Sequence, residues 1–238
     1  MLFFYIRHGD PIYVPDSLTE LGKRQADAVA KRLSLYGIDR ILASTSERAI
    51  QTARPTSELT KKEIETHEFC HERYAAQEFT APNSKGEPQW AFYNDRIRKI
   101  FMSPEVRAMG ENWTEHPEFV NTAFKTGIER VKKGADELFL SLGYEHDREK
   151  GCYYPVKPTN DRVALFAHQG FGIAFLSAVL DIPYPMYSTH FDMCHSGVTV
   201  IDFSEGEGVV IPKVLSLSND SHLYRELLPS NYLGLQKF

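Results

Sequence analysis

Leu2-Phe3-Phe4-Tyr5-Ile6-Arg7-His8-Gly9-Asp10 opens the chain, and its reading decides the fold. Five consecutive apolar residues, aromatic and branched, read as a buried strand. The run stops at an arginine, a histidine and a glycine. In open α/β sheets ligands gather beyond the carboxyl ends of strands. A buried strand that ends in a guanidinium and an imidazole therefore has the makings of an active-site edge. Taken alone, the same residues read equally well as the start of a polar loop.

Working outward, residues 10–16 form a loop with two prolines, and Ser17-Leu18-Thr19-Glu20 has the spacing of a capping box. A helix follows with Leu18, Gly22, Ala26, Val29, Leu33 and Tyr36 on one stripe, ended by Gly37. Arg40-Ile41-Leu42-Ala43 is a second short strand, and Ser44-Thr45-Ser46-Glu47 a second capping box. The helix after it turns Ala49, Ala53, Thr56 and Leu59 to the core. The alternation predicts a parallel sheet with helices on both faces. From about residue 66 to 158 the rhythm breaks, across both tryptophans (Trp90, Trp113) and a basic patch of Arg96, Arg98 and Lys99. Pro117 is expected to open a long helix bearing Val120, Phe124, Val131, Ala135, Leu138 and Leu142. The α/β pattern then resumes with a strand over 162–167, a turn at His168-Gln169-Gly170 and a helix over 171–180. Strands over 198–203 and 209–217 close the chain around Gly206 and Gly208. The expected fold is α/β, a three-layer sandwich with a mostly parallel central sheet flanked by helices. It forms one domain over 1–238 with an inserted cap at about 67–115.

Composition bounds the function. The 238 residues are 42% hydrophobic and 25% charged, ordinary for a soluble globular chain. The net charge of −5 supplies no global field for nucleic acid, so any bound anion needs a local cluster of cations. Cys70, Cys152 and Cys194 are too few and scattered for a disulfide framework, which points to a reducing, cytoplasmic setting. The first apolar run is too short for a signal-peptide core. The apolar stretch 163–180 contains His168, Gln169 and two glycines, and so reads as strand, turn and helix rather than a membrane span.

Three strand ends line up at one sheet edge. The first brings Arg7 and His8, the second Ser44 and then Arg48, and the strand over 162–167 brings His168. Each is followed by a helix whose free N–H groups are expected to point back at that edge. Two arginines, two histidines and three helix N-termini describe an anion site, with phosphate the obvious anion. On Arg7-His8-Gly9, the run from Leu18 to Ala26, the run from Ser44 through Arg48 to Ala53, and Ala167-His168-Gln169-Gly170, the chain resembles the histidine phosphatase superfamily, the phosphoglycerate-mutase-like proteins. The motifs stand in the family's order and cover roughly residues 1–60 and 160–238.

The resemblance implies metal-independent phosphomonoester hydrolysis through a phosphohistidine on His8, with Arg7, Arg48 and His168 holding the phosphoryl oxygens and no cofactor. It also implies a carboxylic acid that protonates the leaving oxygen. Glu72-Arg73-Tyr74 resembles the Glu-Arg segment of the mutase branch, but Ala75-Ala76-Gln77-Glu78 departs from that branch's glycine-containing continuation, leaving Glu78 as a second candidate. Phosphoglycerate-mutase-type transfer and a non-catalytic phospho-ligand-binding protein are the alternatives. A further one comes from His67-Glu68-Phe69-Cys70-His71, the His-Glu-x-x-His pattern of zinc hydrolases, which requires a helix and a third ligand. The expected partner is a small-molecule phosphomonoester, with neither nucleic acid nor membrane, and the oligomeric state is open. Trp90, Phe92, Tyr93 and Trp113 are expected either to wall the substrate site or to form the cap's own core. His195, opening a strand, is expected at the core or a sheet edge.

Overall fold

The computed structural model describes residues 1–230; residues 231–238, the end of the unit expected over 1–238, lie outside the described residues. The first part of the chain comprises β1 (Leu2–Arg7), the short ribbon β2 (Pro11–Ile12) and β3 (Ser17–Leu18), α1 (Glu20–Tyr36), β4 (Arg40–Ser44), α2 (Glu47–Thr60) and β5 (Ile64–His67). Short pieces come next: the 3-10 turn η1 (Glu68–Cys70), α3 (Glu72–Glu78), β6 (Thr80–Pro82), β7 (Pro88–Trp90), α4 (Asp95–Phe101), α5 (Pro104–Met109) and the 3-10 turn η2 (Gly110–Glu115). Then come α6 (Phe124–Ser141), β8 (Tyr144–Asp147), β9 (Cys152–Pro155), β10 (Arg162–Ala167), α7 (Gln169–Val179) and α8 (Tyr184–His190). The last elements are β11 (Val198–Asp202), β12 (Glu205–Gly206), β13 (Val209–Val210), β14 (Lys213–Asn219) and α9 (Ser221–Arg225).

The central sheet has the order β14-β11-β1-β10-β4-β5. β1, β10, β4 and β5 run parallel, and β11 and β14 are antiparallel to their neighbours. The sandwich follows from the two-residue period of a strand. Phe4 and Ile6 pack with Val29, Leu33 and Ala53 of α1 and α2. Phe3 and Tyr5 face the other way, onto Phe139 of α6 and Phe175 of α7. With aromatic and branched residues on both faces, β1 is the buried centre its composition predicts.

Helix starts differ from the expected ones by the identity of the cap. α1 is capped by Thr19, whose Oγ1 accepts the Gly22 N–H at 3.0 Å, while Ser17 belongs to β3. α2 begins after Ser46, not Ser44, and its cap comes from the loop 10–16. Asp16 accepts the Glu47 N–H at 2.9 Å and the Ser46 hydroxyl at 2.7 Å. Ser44 stays in β4, where it is used otherwise. Leu59 and Val120, expected on core faces, are 56% and 58% exposed, and α6 begins only at Phe124 after a series of turns.

The segment 163–180 is β10 plus α7, a helix buried on every side, and no helix among the described residues is long and apolar enough to cross a membrane. A second sheet, β12-β13-β9-β8, has no counterpart in the sequence pattern beyond the turn at Gly206 and Gly208. Within residues 67–115, Trp113 and Phe101 join Phe119, Phe124 and Tyr184 in an aromatic cluster. Phe92 is also buried. Of the basic patch, Arg96 is bound by Glu118 and exposed, Lys99 is exposed, and half-buried Arg98 donates to the Thr189 carbonyl at 3.3 Å. Of the four aromatic residues considered for a substrate wall, Trp90 lines the cavity at the strand ends.

Candidate active site

The register of the central strands sets the site. Arg7 lies opposite Ala167, Phe166 opposite Ala43, and Ser44 opposite His67, so the residues beyond them emerge side by side at one edge. The His8 N–H donates to the Ala167 carbonyl at 2.9 Å, continuing the ladder one rung past β1. Tyr5 fastens the neighbouring position: its hydroxyl donates to the His168 carbonyl (2.6 Å) and accepts the His168 N–H (3.2 Å). Gly9 and Gly22 touch backbone to backbone. A Cβ on Gly22 would lie 2.2 Å from the Asp10 carbonyl oxygen, and one on Gly9 would lie 2.6 Å from that of Gly22. Only glycines let α1 approach the loop beyond His8 this closely.

His8 is 3% exposed, and its Nδ1 lies 2.7 Å from the Gly9 carbonyl. A carbonyl only accepts, so Nδ1 carries the proton and Nε2 presents its lone pair. Burial, with the charges of Arg7 and Arg48, holds this imidazole well below the ordinary histidine range. It therefore stays neutral. Arg7 donates to the Met193 carbonyl (2.6 Å) and to His195 Nε2 (2.7 Å). His195 is buried, and its Nδ1 lies 3.6 Å from Asp10. Arg48 donates to Asp16 at 2.6 Å and lies over the Tyr13 ring.

His168, fully buried, has Nε2 2.8 Å from Ser44 Oγ, which also accepts the Ser46 N–H. With Ser44 donating, His168 carries its proton on Nδ1. Burial and then His8 and Arg48 keep it neutral too. His168 Nδ1, Arg7 Nε and Arg48 Nε are buried without a hydrogen-bond partner among the described residues. Oxygens of an anion can satisfy such unpartnered donors on two cations and an imidazole.

The two candidate acids separate clearly. Glu72 opens α3 and lies in the wall of the same cavity, accepting from the Gly170 and Phe171 N–H groups, each at 2.8 Å. Burial raises its carboxyl above the ordinary range, against the lowering effect of those N–H groups and of Arg48 and Arg7. Glu78, at the other end of α3, is bound by Arg130 through both oxygens (2.7 and 2.6 Å), and it does not line the cavity. The helix N-termini expected to face the anion are occupied by side chains: Thr19 on α1, Asp16 on α2 and Glu72 on α7. Charge at the site therefore comes from guanidinium groups rather than from open backbone N–H groups.

Arg7, His8, Tyr13, Arg48, His71, Glu72, Arg73 and Trp90 are among the residues that line a cavity of about 320 Å³. A hollow of about 400 Å³ beside α1 and α9 holds no comparable chemistry, since Lys31 is paired with Glu226 and Arg32 with Asn219. The His-Glu-x-x-His stretch is not helical. His67 closes β5, Glu68 opens η1 with Thr45 and Arg73 bound to it, and His71 caps α3. Its two histidines thus lack the shared helical face that a zinc pair needs. Among the described residues no three His, Cys, Asp or Glu side chains gather as a metal site. His195 and Asp16 belong to the site with no local sequence pattern to mark them, and His71 is marked only by the His-Glu-x-x-His pattern.

The ends of the parallel strands in a helix-flanked α/β sheet thus gather two arginines and two neutral imidazoles. Residues 5–115 match the histidine phosphatase superfamily (branch 1). The match spans a little under half of the chain and is to the superfamily that the sequence motifs resemble. Solved structures repeat the fold. A phosphoserine phosphatase of Entamoeba histolytica, in complex with 3-phosphoglyceric acid, superposes with a TM-score of 0.59 at 19% identity, covering 93% of this chain and 98% of its own. A mycobacterial glucosyl-3-phosphoglycerate phosphatase gives 0.58 at 19% identity, over 92% and 98%. At such identities the likeness is one of fold. No curated protein matches the sequence.

Proposed function

We propose that this protein hydrolyses small phosphomonoesters in two steps through a phosphohistidine on His8. The observation that carries the reading is the His8 Nδ1 contact with the Gly9 carbonyl, which leaves Nε2 bare among Arg7, Arg48 and His168. In the first step Nε2 attacks phosphorus, the bond to the leaving oxygen breaks, and Glu72 gives that oxygen its proton. In the second step water attacks the phosphorus, Glu72 takes a water proton, and the phosphorus–nitrogen bond breaks to release inorganic phosphate. Arg7, Arg48 and His168 neutralise the equatorial oxygens in both transition states, the work that a metal ion does elsewhere. The segment 67–115 serves as the cap of a single domain over 1–238 and brings Glu72 to the site. Three buried free cysteines support a cytoplasmic setting.

The test is phosphate release from a panel of phosphomonoesters with excess chelator present, on the wild type and His8→Ala. Activity that persists in chelator and falls by roughly 10³-fold or more in the variant is expected, together with an acid-labile phosphoryl group trapped on the wild type. Loss of activity to the chelator, or wild-type rates in His8→Ala, would overturn the reading.

A further inference from the structure

His71 stands in the sequence as half of a candidate metal pair, and the phosphoryl-transfer scheme gives it no part. Its placement is specific. It directly precedes Glu72, and its Nδ1 accepts the Arg73 N–H at 3.1 Å, so the ring caps α3 from its own first turn. The same ring lines the cavity with Arg7, His8 and Arg48, and its centroid lies 6.1 Å from that of His168. An imidazole that uses Nδ1 as an acceptor carries its proton on Nε2. Burial and the charges of Arg73 and Arg48 lower its basicity, against the pull of Glu68, which keeps the ring in that neutral form. Among the described residues Nε2 makes no hydrogen bond within the cavity.

We propose that His71 donates its Nε2–H to an oxygen of the bound phosphoryl group, so that three imidazoles surround it: His8 as nucleophile, His168 and His71 as neutral donors. This rests on the phosphoryl-transfer reading of the site. One residue then does two jobs. Its Nδ1 sets the start of the helix that carries Glu72, and its Nε2 meets the anion that Glu72 will protonate on the leaving side. A histidine does both because its two nitrogens lie on different edges of one rigid ring.

The two jobs separate by substitution. Asparagine is among the best helix caps and so preserves the start of α3, but it presents no imidazole to the cavity. Alanine removes both. Binding of inorganic phosphate and of orthovanadate is measured by calorimetry on wild type, His71→Asn and His71→Ala, with thermal unfolding alongside. Both variants are expected to bind about tenfold more weakly, the effect of one hydrogen bond to a charged group. Only His71→Ala is expected to melt lower, by about 2–4 °C. Wild-type affinity in His71→Asn would overturn the proposal and leave His71 a cap alone. Failure of the wild type to bind either anion would overturn the site reading itself, and this proposal with it.

Discussion

Glu72 and Glu78 bound one short helix and meet opposite chemistry. Two backbone N–H groups orient Glu72 within the cavity wall, and burial raises its carboxyl; Arg130 neutralises Glu78 at the far end. In the proposed scheme the protonated form of Glu72 is the one that serves the leaving group. Activity should therefore hold towards acid, since His8 remains unprotonated there, and decline as pH rises through the elevated Glu72 value. A pH profile of kcat/KM checks this, and Glu72→Gln should erase the basic limb while lowering kcat by roughly 10²–10⁴ on alkyl phosphates. An aryl phosphate, whose leaving group needs no proton, should suffer less. Glu78→Gln should instead lower Tm and leave kcat near the wild-type value. At this scale the sequence is informative wherever a residue ends a strand or directly follows one: Arg7, His8 and His168 need only the strand ends to be placed. It is silent on Asp16 and His195, which reach the two arginines through the fold alone.

Among elements, α1 and the loop after β1 meet backbone to backbone. In the sequence Gly22 is one more position on an apolar stripe, because a helical period reports which face is inward and not how near the neighbour lies. The neighbour is the backbone of Asp10, and no rearrangement of side chains can make room for a methyl group there. Gly22→Ala should cost about 1–3 kcal/mol, read by chemical denaturation, and should also depress phosphate release, since α1 and the loop holding His8 must part. Gly206→Ala, where an added Cβ meets nothing within 4 Å, is the control and should change neither. The caps teach the same lesson. Both boxes stand within three residues of a true helix start, but which oxygen caps α2 depends on a loop that folds across from 10–16.

For the molecule as a whole, the parallel half of the sheet is legible from alternating apolar strands and striped helices, while residues 66–158 are not. Apart from α6, whose long apolar stripe is legible, their elements are short, and the hairpin β8–β9 completes its sheet only with β13, far along the chain. That hairpin is fastened to the body by His146, whose ring nitrogens meet Asp136 at 3.0 Å and Asp181 at 2.8 Å, with Arg148 joining the same carboxylates. Burial lowers the His146 value, but the two carboxylates outweigh it and the net shift is upward. A raised histidine contributes stability that is full below its unfolded value and is lost as pH rises through the folded one. Asp136, shifted down, contributes above its own unfolded value. The Tm difference between wild type and His146→Gln should therefore be wider near pH 5.5 than near pH 9, as scanning calorimetry at both would show. The rung from His8 to the Ala167 carbonyl bears on duration as well as on place. Central strands of a sheet are the last to part when a protein breathes. Openings of the outer segments thus leave His8 in register with its neighbours until the central sheet itself parts.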